Sequence, residues 1–121
     1  MVVPYFQYKH FTFVYILIIT LISHVPGDNL PESNSSLSHQ DKIFHFCEFF
    51  ILGLLVQLSF IEAKLFSNKE IIFMSLIFCF TIACFDELHQ NFVQGRNPSI
   101  DDLFFDFFGI ILSFINYKNF H

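Results

Sequence analysis

The sequence predicts an all-α protein, a small integral membrane bundle of about four transmembrane helices, and three observations lead there. The 121 residues are 54% hydrophobic, 20% aromatic and only 14% charged, with a mean hydropathy of +0.55. A soluble domain is roughly 45–50% apolar and needs a charged surface. The apolar residues collect into four blocks, near 11–25, 43–60, 71–85 and 103–116, and the charged residues mostly mark their edges. That is how a polytopic membrane protein is written. Finally, the water-loving groups gather in residues 85–109, FDELHQNFVQGRNPSIDDLFFDFFG, between two apolar runs. Ionisable groups near a bilayer are costly and need partners, so such a gathering is a functional-site hypothesis. The length suits one domain.

Taken in order, the first block follows Lys9 and ends at Pro26-Gly27, a pair that stops a helix. A basic flank of this kind also suits a secretory signal, but no A-x-A type cleavage site follows, so the block is expected to be a retained span. Residues 26–42, with the polar run GDNLPESNSSLSHQ, are expected to form a loop. In the second block Asp41, His45 and Glu48 stand at i, i+4 and i+7, which places them on one helix face stepping inward from the membrane surface. A short connection with Lys64 and Lys69 leads to the third block, and a second polar loop is expected over 86–102. If the third helix runs past Phe85, Asp86 and Gln90 share a face. In the fourth block Asp102, Asp106, Gly109 and Ser113 follow at spacings of four, three and four, a polar, small-residue stripe. Gly109-x-x-x-Ser113 is also a pattern that lets helices approach closely. The continuous apolar runs are short for the roughly 17–25 residues of a span. Either the helices run on through their polar ends or they cross a thinned bilayer.

Composition excludes several classes. The net charge of -5 comes without a basic stripe or a Cys/His finger, so no nucleic-acid partner is expected. Cys47, Cys79 and Cys84 lie inside apolar blocks, odd in number and without a C-x-x-C pair. They argue against a disulfide framework and behave as small hydrophobes. No metal-ligand spacing of high specificity is present, so neither a metal nor a cofactor is assigned.

Basic residues set the orientation. Lys9, Lys64, Lys69 and Lys118 fall on one side of a four-span arrangement, and Lys42 and Arg96 on the other with most of the acids. Both termini are then expected in the cytoplasm of a multi-pass cell-membrane protein, with Asp41, His45, Asp86, Gln90, Arg96 and Asp106 in one outer layer.

LISHVPGDNLP leaving the first block, DKIFHFCEFFILGLL, and then FDELHQNFVQGRNPSIDDLFFDFFG resemble the VanZ-like family in order and spacing. The resemblance rests on Asp41-Lys42 with His45, Asp86-Glu87 with Gln90, Gly95-Arg96, Ser99, Asp102 and Asp106 before Gly109, and covers most of the chain. Two departures are small: Gln94 stands where the family often has proline, and Ser113 lies where a second glycine is frequent. The resemblance implies an integral membrane protein of about four helices, in a bacterial family named for a member associated with resistance to the glycopeptide antibiotic teicoplanin. It supplies no biochemical activity.

The chemistry is therefore argued from Asp41, Lys42, His45, Asp86, Glu87, Gln90, Arg96, Asp102 and Asp106, with Gly109 and Ser113 as helix-packing positions. One reading is a binding site for a membrane lipid or lipid-linked envelope component, with Arg96 as a bidentate partner for phosphate or carboxylate and Lys42 as a second cation. The alternative is a small membrane enzyme acting on a lipid-linked or phosphate-bearing substrate, in which clustered carboxylates with His45 or His89 hold a divalent cation and one carboxylate or histidine is the general base for phosphoryl or acyl transfer. The plainer reading makes the acids helix caps and has His45 and Glu48 hydrogen-bond across helices. Asp106 and Glu48 lie deeper, and a carboxylate there must be neutralised, paired or wetted. Self-association is compatible with so few short helices.

Overall fold

The computed structural model describes residues 7–24, 35–93 and 100–114, with the side chains of 35–41 outside that description. Four helices follow in order: α1 Tyr8–Ser23, α2 Ser35–Ala63, α3 Asn68–Gln90 and α4 Ile100–Ser113. Among the described residues there is no strand.

Each helix covers one of the apolar blocks, but the ends differ from those expected. Helix α2 begins at Ser35, inside the segment expected to be a loop, and α3 continues through Asp86–Gln90. Residues 86–90 carry no helix breaker; glycine and proline come only at Gly95 and Pro98. A polar composition does not end a helix when, as with Asp86, Glu87 and Gln90, the polar side chains turn into the bundle.

The α2–α3 turn is built from local chemistry. Lys64 takes a left-handed φ of 56° just past the end of α2, the position where helices commonly reverse. Ser67 then caps α3: its hydroxyl accepts from the Glu70 N–H, and Glu70 accepts from the Ser67 N–H at 2.7 Å, so two otherwise orphaned donors are satisfied. At the same end, Glu62 accepts from the first N–H of α1, that of Tyr8, at 2.8 Å. Lys9, Glu62, Lys64 and Lys69 therefore share one end of the bundle.

Helix α2 is central and touches the other three, most extensively α4. The core comprises Ile19, Phe49, Leu52, Val56, Cys79, Ala83 and Ile110. Close approach of α2 and α4 depends on two glycines. A Cβ on Gly109 would overlap the Phe46 carbonyl oxygen and lie 3.0 Å from the Phe50 nitrogen, while one on Gly53 would lie 2.8 Å from Ser113 Cβ. Beside that contact Gln57 donates to Ser113 Oγ at 2.8 Å and to the Gly53 carbonyl at 3.0 Å. The mid-bundle polar groups are thus joined across the tightest helix pair.

The outer surface reverses the pattern of a soluble protein. Phe13 and Leu21 on α1, Phe44 and Ile51 on α2, Phe73 and Phe85 on α3, and Phe104 and Phe108 on α4 are all exposed. Water would leave this much apolar area uncovered, whereas lipid tails cover it. Two segments, Lys42–Ala63 of α2 and the whole of α3, are long and apolar enough to cross a membrane, and α1 is a shorter apolar helix. Helix α4 has 14 residues, a rise of about 21 Å against a hydrocarbon core of about 30 Å. Length supports two spans directly rather than four.

Candidate functional site

Opposite the end marked by Lys9 and Lys64, all four helices send polar side chains inward. From α2 come Lys42, His45 and Glu48, at spacings of three that step about 9 Å along one face. Helix α3 contributes Asp86, Glu87 and Gln90; α4 contributes Asp102 and Asp106; α1 contributes Ser23. Apart from Lys42 every one of these is buried, and Asp106 is fully enclosed. Burial of this kind follows from direction: the residues occupy the inward faces of helices whose outward faces are phenylalanine, isoleucine and leucine.

The contacts divide into three groups. His45 Nδ1 lies 3.0 Å from Asp106 Oδ1, joining α2 to α4. Lys42 Nζ stands 3.7 Å from Asp102 Oδ1 and over the Phe105 ring at 5.7 Å, so the lysine bridges the cluster and its rim. Ser23 donates to Asp86 Oδ1, and Gln90 donates to Asp86 Oδ2 at 3.3 Å, tying α1 to α3. At the exposed edge, His24 and His89 face each other with ring nitrogens 3.2 Å apart.

What is left over is informative. Among the described residues, neither carboxylate oxygen of Glu87 has a hydrogen-bond partner, and nor does Asp106 Oδ2. Leaving a buried acceptor unsatisfied costs about 1–3 kcal/mol, more if it is charged. Glu87 is 9% exposed and Asp106 0%, so water in the bulk does not answer for them. Five acids, Glu48, Asp86, Glu87, Asp102 and Asp106, are buried in the cluster; Glu48, Asp86, Glu87 and Asp106 lie close to His45, and Asp102 is paired with Lys42.

Of the residues singled out in the sequence, Lys42, His45, Asp86, Glu87, Gln90, Asp102 and Asp106 all lie in this cluster, together with Glu48. Arg96 lies outside the described residues, as do Gly95 and Ser99; Asp41 lies in α2 but its side chain is outside the description. Gly109 and Ser113 sit deeper, at the α2–α4 contact. Sequence reasoning missed Ser23, Gly53 and Gln57. The first had a signal: Thr12, Ile19 and Ser23, the buried residues of α1, recur at spacings of seven and four. An apolar groove of about 330 Å³ lined by Phe46, Phe105 and Phe108 borders the rim of the cluster at Phe105, and a second of about 250 Å³ beside Phe13 and Phe78 lies toward the Lys9 end.

The chemical capability of such a site is limited by its groups. Carboxylates accept from hydroxyls, amides and ammonium groups, or ligate cations. An imidazole held by a carboxylate is oriented for proton transfer or ligation. Comparison with known proteins adds one finding: a family model described as VanZ/LLP1 matches residues 4–121. No curated protein and no solved structure matches the chain.

Proposed function

The chain belongs to the VanZ/LLP1 family, and from that premise we propose that it binds the polar head of a membrane lipid or lipid-linked envelope component at the polar end of its bundle. The observation that carries this is the convergence of buried polar side chains from four helices on one end of a bundle with an apolar exterior. Family membership and the two long apolar helices mark a membrane protein. We further propose that all four helices are embedded, with both termini cytoplasmic and the polar end outward. The lysines at the opposite end, Lys9, Lys64 and Lys69, support that orientation. A headgroup would meet the rim first, where Lys42 and Asp102 offer a cation and an acceptor, with the buried carboxylates taking hydroxyl or amide donors behind them.

Binding of this kind would give the teicoplanin resistance associated with the family's name-giving member a physical route, because a sequestered envelope component changes what a glycopeptide meets at the cell surface. A second reading, catalysis on the same headgroup, is favoured by one observation: the His45–Asp106 pair beside the unpartnered Glu87 resembles an oriented base next to an acid.

Native mass spectrometry of the protein released gently from its own membranes tests both. The expected result is a headgroup-bearing lipid retained by wild type and lost from Lys42→Ala and Asp86→Asn. Catalysis adds a time-dependent change in the mass of that lipid. Wild type with no specific lipid, or equal retention by all three proteins, rules the binding proposal out.

A further inference from the structure

We propose that His45, Glu87 and Asp106 form a binding site for one divalent metal ion of the Mn²⁺ or Zn²⁺ kind, a proposal that rests on the polar end being a ligand site. Each residue offers one ligand atom, and the three atoms lie within 4.8 Å of one another. Some point therefore lies within about 2.8 Å of all three, so side-chain adjustments of under about 1 Å reach the roughly 2.0–2.2 Å of metal–nitrogen and metal–carboxylate bonds.

Independent support comes from the unpartnered oxygens. Both carboxylate oxygens of Glu87 and Oδ2 of Asp106 are enclosed without a hydrogen-bond partner among the described residues, and a cation is a partner that answers several such acceptors at once. Its charge also offsets part of the burden of five buried acids. A neighbouring set, His45 with Glu48 and Asp86, meets the same distance criterion. Asp86 is already engaged by Ser23 and Gln90, which favours the Glu87 set.

The donor set selects the metal. Imidazole is a poor ligand for Mg²⁺ and Ca²⁺, and the absence of thiolate from the set removes the preference for softer ions, which leaves nitrogen- and oxygen-liking first-row metals. The ligands come from three helices, so no short-range spacing announces them. A bound ion would join α2, α3 and α4 at the polar end, and its open coordination positions would face whatever phosphate or carboxylate enters from the rim.

The test uses full-length protein in detergent, stripped with chelator and titrated with Mn²⁺ alone while electron paramagnetic resonance reports free ion. One saturable site per chain is expected, competed by Zn²⁺. Its affinity should fall at least about tenfold in Glu87→Gln and in Asp106→Asn, and remain unchanged in Glu62→Gln at the opposite end. Glu87 makes no hydrogen bond to lose, so its variant keeps its fold, checked by helical circular dichroism. Absence of saturable binding, or equal affinity in Glu87→Gln, overturns the metal site. If wild type still retains its lipid in that case, the headgroup proposal stands and only the ion is lost; if neither is retained, both fall.

Discussion

Replacing His45 with leucine is expected to destabilise the bundle by about 3–5 kcal/mol, because it strips a buried carboxylate of its partner without removing the carboxylate. Asp106 is fully enclosed, and His45 Nδ1, 3.0 Å away, is the partner of its Oδ1, while Oδ2 has none. The substituted leucine can fill volume but leaves both oxygens unanswered. Asp106→Asn is expected to cost much less, since its carbonyl oxygen still accepts from the imidazole and the charge is gone. Removing both partners in His45→Leu with Asp106→Leu should cost less than the sum of the single changes, by about 1–3 kcal/mol of coupling. Unfolding midpoints in mild detergent read all four proteins. Additive losses would mean that the 3.0 Å contact carries no coupling.

A comparable loss is expected from Gly109→Leu, through packing alone. The backbone of α2 lies where a side chain at Gly109 would stand, with the Phe50 nitrogen 3.0 Å and the Phe46 carbonyl carbon 3.2 Å from its Cβ position. Backbone cannot swing aside as a flexible side chain does, so the helices must separate. Even Gly109→Ala is expected to cost about 1–3 kcal/mol by overpacking, and leucine more. Separation would also carry Asp106 away from His45, since Asp106 lies one turn before Gly109 on α4. Gly109→Leu should therefore lose bound lipid as well as stability. A variant that retains wild-type melting and lipid would show that α2 and α4 do not need this close contact.

The helix count was legible because apolar blocks are a composition signal, and each block contains one helix. The ends were less so. Asp86 to Gln90 read as a loop by polarity, yet they continue α3, because Asp86, Glu87 and Gln90 turn into the bundle while Leu88 stays on its outer face. Faces were readable from spacing: Asp102, Asp106, Gly109 and Ser113 are all buried on α4. Pairings between helices were not. Which acid meets His45 depends on the rotation and vertical offset of α2 and α4, and neither leaves a trace in linear spacing. Ser23 and Gln57 escaped notice for the same reason: one polar residue in an apolar block announces a buried contact but not its partner. Gly53 differs, since its role appears only when Ser113 is placed opposite it.

On the proposed function the polar end holds a ligand rather than holding the helices together, and Glu87→Met separates the two roles. Stability is measured by unfolding of chelator-treated, delipidated protein, and lipid retention by native mass spectrometry of protein taken from its own membranes. A ligand site keeps a buried acid at the expense of the empty fold, so removing the unpartnered carboxylate should raise the stability of the empty protein by about 1 kcal/mol or more while retained lipid falls. Lower stability with lipid retention unchanged would contradict the claim and make Glu87 a structural residue.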